Sequence, residues 1–205
     1  MGKQLGLALV VAVCLTLGAQ GADLNVVVEG QMNPVEAVQV TVCPYDQGAM
    51  LIAPGAAHIS PIGAPDIPWQ VVTVLLPPDT QAESVQALLS DAAYMPVAEP
   101  VTLNPVTPPY GRNEQGNEVI EWPAGVGFIN GRNLQAWSQN APAPAAQARI
   151  LQVGQLRQYH LAEIAIPLAQ YNPVTGDLRL LESATLVVTA EQAAPHRETE
   201  HVGDA

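Results

Sequence analysis

The sequence predicts an all-β fold, an antiparallel β-sandwich of two packed sheets with proline-rich loops. Three observations carry that reading. Several runs alternate in side-chain character with a period of two, the pattern of strands whose successive residues face opposite ways. The chain holds 19 prolines, close to twice ordinary usage, while only 13% of its residues are charged. That combination opposes a helical bundle and favours short strands joined by irregular loops. A length of 205 residues suits one domain with tails and suffices for a real core.

Along the chain, Leu24–Glu29 is a strand candidate and Gly30–Pro34 a turn. Ala37–Cys43 alternates with Val38, Val40 and Val42 on one face, so the two runs are expected to pair as a hairpin. Residues 44–68 read as loop, with a short strand at Ala49–Ala53. Ile67–Leu76 is the next strand, and its nearly continuous apolar stretch from Val71 predicts burial on both faces. Thr80–Tyr94 carries two signals. Asp79 suits a helix cap ahead of Ala82, Val85, Leu88 and Leu89 at helical spacing, yet the surroundings are all-β, and strand is the reading adopted. Met95–Gly125 is broken by prolines and reads as extended surface backbone, with a short strand at Val119–Trp122. A turn follows at Gly131-Arg132-Asn133, then a linker-like proline–alanine segment at 141–146 and a strand from Arg149.

The final stretch, Arg157–Glu191, reads as one long β-hairpin. His160, Ala162, Ile164 and Ile166 share a face of its first arm; Ala184, Leu186, Val188 and Ala190 share a face of its second. Between them, Asn172-Pro173-Val174-Thr175-Gly176-Asp177 is a turn. Its proline presets φ, and Gly176 supplies the left-handed residue.

Met1–Gly21 has the features of a secretory signal: Lys3, an apolar stretch from Leu5 to Leu17, and small residues before a cleavage point placed after Gly21. The expected division is therefore a signal at 1–21, a domain at 22–191 and a disordered polar tail or linker at 192–205, in a secreted, periplasmic or extracellular protein. The net charge is −12, and losing Lys3, the only lysine, makes the chain more acidic. Its arginines are scattered, so neither nucleic acid nor, after signal cleavage, a membrane surface is an expected partner. Cys14 departs with the signal, which leaves no second cysteine for an intrachain disulfide. Cys43 reads as a small buried hydrophobe at the end of its strand.

Two motifs bear a resemblance. Gln170-Tyr171-Asn172-Pro173-Val174-Thr175-Gly176-Asp177-Leu178-Arg179 before an apolar strand resembles the end of the propeptide domain of gingipain-type cysteine peptidases. Gly63-Ala64-Pro65-Asp66-Ile67-Pro68, leading into Val71–Pro77, resembles that family's entry into an apolar strand. The resemblance covers about residues 60–191. It implies a β-sandwich docked on the catalytic domain of such a peptidase, in cis or in trans, inhibiting it and assisting its folding. It also implies a strand at Thr80–Tyr94. A loop reaches the peptidase cleft, and the best-known members place an arginine or lysine in the specificity pocket. Here that loop is Met95–Gly125. Its candidate contacts are Pro105, Pro108, Pro109, Tyr110 and Arg112, of which Arg112 is the only basic residue in the loop. The family-motif turn comprises Tyr171, Asn172, Pro173, Thr175 and Gly176. Gly21 and Arg197 are the candidate processing points.

No catalytic constellation stands out. There is no Gly-x-Ser-x-Gly elbow and no phosphate-cradling glycine-rich loop. His196 and His201 match no zinc spacing, and no cofactor or metal is expected. Trp69, Trp122 and Trp137 leave a second reading open: a free-standing extracellular module binding carbohydrate or a surface protein. Core or rim packing is the plainer role for these indoles.

Overall fold

The computed structural model describes residues 17–28, 31–45, 48–120, 122–123 and 127–191. The strands in chain order are β1 (Leu17–Val28), β2 (Gln31–Tyr45), β3 (Gly48–Ile52), β4 (Ala57–His58), β5 (Pro68–Leu76), β6 (Gln86–Pro96), β7 (Tyr110–Arg112), β8 (Glu118–Ile120), β9 (Phe128–Ile129), β10 (Arg132–Asn133), β11 (Arg149–Leu156), β12 (Tyr159–Pro167), β13 (Ala169–Tyr171) and β14 (Leu178–Thr189). One helical turn, α1 (Leu134–Trp137), follows β10.

Two sheets form the body. The first runs β13-β14-β1-β2-β3. β13 and β1 pair with successive parts of one edge of β14, and β6 lines the other. The second runs β11-β12-β5-β4. The predicted alternation is what builds the core between them. Val38, Val40 and Val42 of β2 are buried with Leu24 and Val26 of β1 and Ala184, Leu186 and Val188 of β14. From the second sheet Val72, Val74, Leu76, Ala162, Ile164 and Ile166 join the same cluster. The β1–β2 hairpin forms, but β2 begins at Gln31, so Gln31–Pro34 pair with β1 where a turn at Gly30–Pro34 was expected, and the strand expected at Ala49–Ala53 is β3.

Four expectations are corrected. The two arms of Arg157–Glu191 do not pair with each other along their length: β12 lies in the second sheet and β14 in the first. The corner is Leu168, whose N–H bonds Pro68 O at 3.0 Å and whose carbonyl accepts from Leu181 N at 2.9 Å, one bond to each sheet. Only the short β13–β14 hairpin closes around the predicted turn. Second, β5 is buried on one face alone. Val72, Val74 and Leu76 point inward, while Leu75 is 57% exposed, because the sheet is half of a sandwich and not the middle of three layers. Third, β1 pairs with β14 in parallel, whereas the other pairings between named strands are antiparallel. Fourth, the proline–alanine segment is docked: Ala143 and Tyr171 exchange two backbone hydrogen bonds, of 2.9 and 2.8 Å.

At Thr80–Tyr94 the strand reading holds from Gln86 onward, after a short 3-10 turn at Ala82–Ser84. Most of the expected signal segment lies outside the described residues. Its last residues, from Leu17, begin β1, and Gly21 pairs with Gln39. The tail and Arg197, His196 and His201 also lie outside them. Among the described residues no helix is long and apolar enough to cross a membrane.

Candidate functional site

The loop singled out from the sequence divides into an anchored root and a projecting arm. The root crosses one end of the sandwich, bonding to successive neighbours. Val97 N–H donates to Leu178 O at 2.9 Å and Val101 N–H to Gly176 O at 2.9 Å. Further on, Ala49 N–H donates to Thr102 O at 2.7 Å, the Ala49 carbonyl accepts from Asn104 N at 3.0 Å, and Asn104 Nδ2 donates to Tyr45 O at 3.0 Å. Pro105 bridges Pro65, and Val106 exchanges bonds with Ala64 and Gly63. Leu103, in the midst of this proline-rich chain, is fully buried. An extended segment without a sheet of its own keeps its place because its backbone groups find partners on other loops.

Both family-like motifs serve this root. In the first, Tyr171 Oη donates to Val101 O at 3.0 Å and accepts from Leu103 N at 3.4 Å. Burial raises the Tyr171 pKa, while the Leu103 N–H and the charge of Arg132 pull it back. Asn172 is buried, and its Oδ1 accepts from Val174 N at 3.0 Å and Thr175 N at 3.4 Å, closing the turn from within. Thr175 Oγ1 donates to Asp177 Oδ2 at 2.7 Å. Gly176 has φ +77°, the predicted left-handed residue, and a Cβ there would come within 3.0 Å of Val101 O. The turn is thus a pedestal against which Pro100 and Val101 lie. Pro173 lines a pocket of about 300 Å³ with Pro61, Pro65 and Trp69.

The second motif gathers both ends of the arm at one residue. Gly63 donates its N–H to Val106 O at 2.9 Å on the outgoing chain. Its carbonyl accepts from Asn133 N at 2.9 Å and from Trp137 Nε1 at 2.7 Å on the returning chain. With φ +76° and Phe128, Asn133 and Gly131 packed around it, the position leaves no room for a side chain. Trp137 carries the clamp across to the first motif: it meets Tyr171 edge-on with ring centroids 6.2 Å apart, and the Arg132 guanidinium lies 4.2 Å over its ring.

Between these roots the chain leaves the body. Among the described residues β7 and β8 pair only with each other, as a separate two-stranded sheet. Asn113 shapes the tip: its Oδ1 accepts from Gln115 N at 3.1 Å and Asn117 N at 2.9 Å, and Gly116 takes φ +79°. The expected contact residues therefore separate. Pro105 and Pro108 belong to the root, half-buried and buried, whereas Pro109, Tyr110 and Arg112 are exposed on the arm, Tyr110 at 73%. Sequence reasoning assigned no role to Asn104, Asn113, Asn133 or the Gly63 hub. Asn113 with Gly116 three residues on was a readable turn signal. Asn133 caps α1, its Oδ1 accepting from Ala136 N at 3.2 Å, which was also a readable local signal, whereas Asn104 carries none, since its partner Tyr45 is distant in sequence.

The other candidates settle into structural roles. Trp69 is buried, and Trp137 gives its indole N–H to the Gly63 carbonyl, so the three tryptophans do not form one open ligand platform. Cys43 is buried in β2. His58 Nδ1 lies 2.8 Å from Asp66 Oδ1 beside the second motif. Among the described residues no three His, Cys, Asp or Glu side chains come together to hold a metal ion.

The comparisons with known proteins follow this architecture. A family model described as Propeptide_C25 matches residues 32–203, which takes in both motifs, the root and the arm. The chain belongs to the Propeptide_C25 family. Among solved structures, one described as bearing on the zymogenic latency of gingipain K from Porphyromonas gingivalis superposes with a TM-score of 0.53 at 17% identity, covering 77% of this chain and 84% of that one. A second, the complex of Porphyromonas gingivalis RgpB pro- and mature domains, gives a TM-score of 0.51 at 17% identity over 77% of this chain and 74% of that one. No curated protein sequence matches. The family defines the matched region as a propeptide, not an enzyme domain, and the two structures share its all-β fold.

Proposed function

We propose that this propeptide holds a gingipain-type cysteine peptidase latent, in cis or in trans, and assists its folding. The observation that carries the reading is the β7–β8 arm. Among the described residues it pairs with neither sheet, it presents Tyr110 and Arg112 to solvent, and its roots bond to the two family-like motifs. A cleft that accepts extended peptide substrates accepts an extended arm, and roots held in advance lower the ordering cost of binding. Arg112 is the residue proposed to occupy the specificity pocket, where a rigid fork of donors pairs with a carboxylate.

The domain at 22–191 is the proposed inhibitory unit, released into a secretory compartment by cleavage after Gly21. Arg197 is the proposed site of separation from a peptidase in cis. Folding assistance follows from mass action, because a partner that binds only the native peptidase stabilises it. The test is direct. The chain is mixed with a cognate gingipain-type catalytic domain, and hydrolysis of an arginyl or lysyl reporter is followed. Inhibition below micromolar concentration, together with a higher yield of active peptidase on refolding, supports the proposal. Full activity at micromolar propeptide would remove it.

A further inference from the structure

The second sheet stops short along one side. β4 covers β5 only at Pro68 and Trp69. From Gln70 to Leu76, β5 pairs with β12 along one edge and with no described strand along the other. Alternate residues of that run therefore turn N–H and C=O groups toward a position that no strand among the described residues fills. Beneath the open edge lies a groove of about 810 Å³, lined by Val26, Val28, Pro34, Val35, Val72 and Val74 among others, with no charged side chain on it. Folded proteins commonly guard such an edge with a lysine, a proline within the strand or a covering loop. The run Gln70-Val71-Val72-Thr73-Val74-Leu75-Leu76 carries none of the first two.

We propose that an extended, uncharged segment of the peptidase partner adds to this edge as a further strand of the second sheet and lays alternate apolar side chains into the groove. The proposal rests on the reading above that the partner is a peptidase. Two observations choose this occupant. The chain leaves β14 at the corner of the groove: Val188, Thr189 and Ala190 share a small cavity with Val28, Leu76 and Pro77, and Gln81 N–H holds Glu191 O at 3.0 Å. A peptidase in cis would be joined to that corner through residues 192–205, a tether of at most about 50 Å when extended. Charge disfavours the other occupants. A second copy brings another net charge of −12 to the contact. The segment beyond Glu191, with His196, Arg197, Glu198 and Glu200, is too charged for an uncharged groove.

Hydrogen exchange on the full chain tests this, alone and with a cognate gingipain-type catalytic domain, alongside Leu75→Lys. Leu75 is exposed on the outer face of β5, so the lysine guards the edge without entering the core. The expected result is fast exchange at alternate amides of Gln70–Leu76 in the free chain and about tenfold or greater protection in the complex. Leu75→Lys weakens the complex about tenfold or more and leaves the melting temperature unchanged. A complex that protects Tyr110–Ile120 but leaves the β5 amides unchanged overturns strand addition and spares the latency reading. Protection that grows with chain concentration in the absence of peptidase assigns the edge to a second copy and overturns the proposal. Protection at every concentration in the free chain overturns it as well. Absence of any complex removes the latency reading, and this proposal with it.

Discussion

Replacing Gly63 by alanine probes the joint between fold and arm. The new Cβ would stand 2.6 Å from Phe128 Cε1, 2.9 Å from Asn133 N and 3.1 Å from Gly131 O. The phenyl carbon belongs to a side chain, whereas the other two atoms are backbone, and Asn133 N is held in place because its N–H is bonded to the Gly63 carbonyl itself. A left-handed backbone costs a non-glycine residue about 1–2 kcal/mol. Forcing an extra methyl group into filled space costs about 1–3 kcal/mol more. The expected loss is therefore about 2–5 kcal/mol, a large share of the about 5–15 kcal/mol that holds a domain together. Urea unfolding followed by tryptophan fluorescence reads it, with Trp137 reporting directly because its indole N–H is bonded to Gly63. The midpoint should fall with the slope unchanged. Inhibition of the peptidase should weaken even where most of the variant remains folded, because the substitution frees both roots of the arm. A loss below about 0.5 kcal/mol, the range of ordinary surface substitutions, would refute the idea that Gly63 clamps the arm.

Further outcomes follow from the same bonds. Asn172→Ala removes a buried acceptor for two N–H groups of a turn whose tip is exposed, and equilibrium unfolding should show a loss of about 0.5–1.5 kcal/mol. Tyr171→Phe keeps the ring against Trp137 but strands the Val101 carbonyl and Leu103 N–H, with an expected loss of about 1–3 kcal/mol in the same assay. Burial pushes the Tyr94 hydroxyl up to about 12 from its ordinary 10. Stability should therefore be intact below pH 10 and decline as pH rises toward 12, where the unfolded chain ionises first. Tyr94→Phe should flatten that decline, at the cost of the bond to Pro167 O.

The strands were legible where one face meets the core. Val38, Val40 and Val42 and the Ala184, Leu186, Val188 series alternate because the sandwich buries one side of each strand. Alternation tells which way a side chain points and nothing about which strand lies alongside. The separation of β12 from β14 was therefore invisible, since it depends on Leu168 bonding to both sheets. Runs of prolines reported absent ladders correctly and hid the burial of Leu103, whose backbone is held by Tyr171, far along the chain. The turn at Asn172–Asp177 was readable in full, because proline, glycine and asparagine each supply a local backbone need. Its use as a pedestal for Val101 was not, because that contact joins distant segments.

The most direct measurement compares the inhibition constants of the unaltered chain and Arg112→Ala against the gingipain-type catalytic domain. Arg112 is exposed on an arm that pairs with neither sheet, so the melting temperature should not move. Loss of a side chain that fills a specificity pocket should raise the inhibition constant by about 30-fold or more, the ~2 kcal/mol of a hot-spot contact. Equal inhibition by the two proteins would contradict the account, because the arm would then not be the element that enters the cleft.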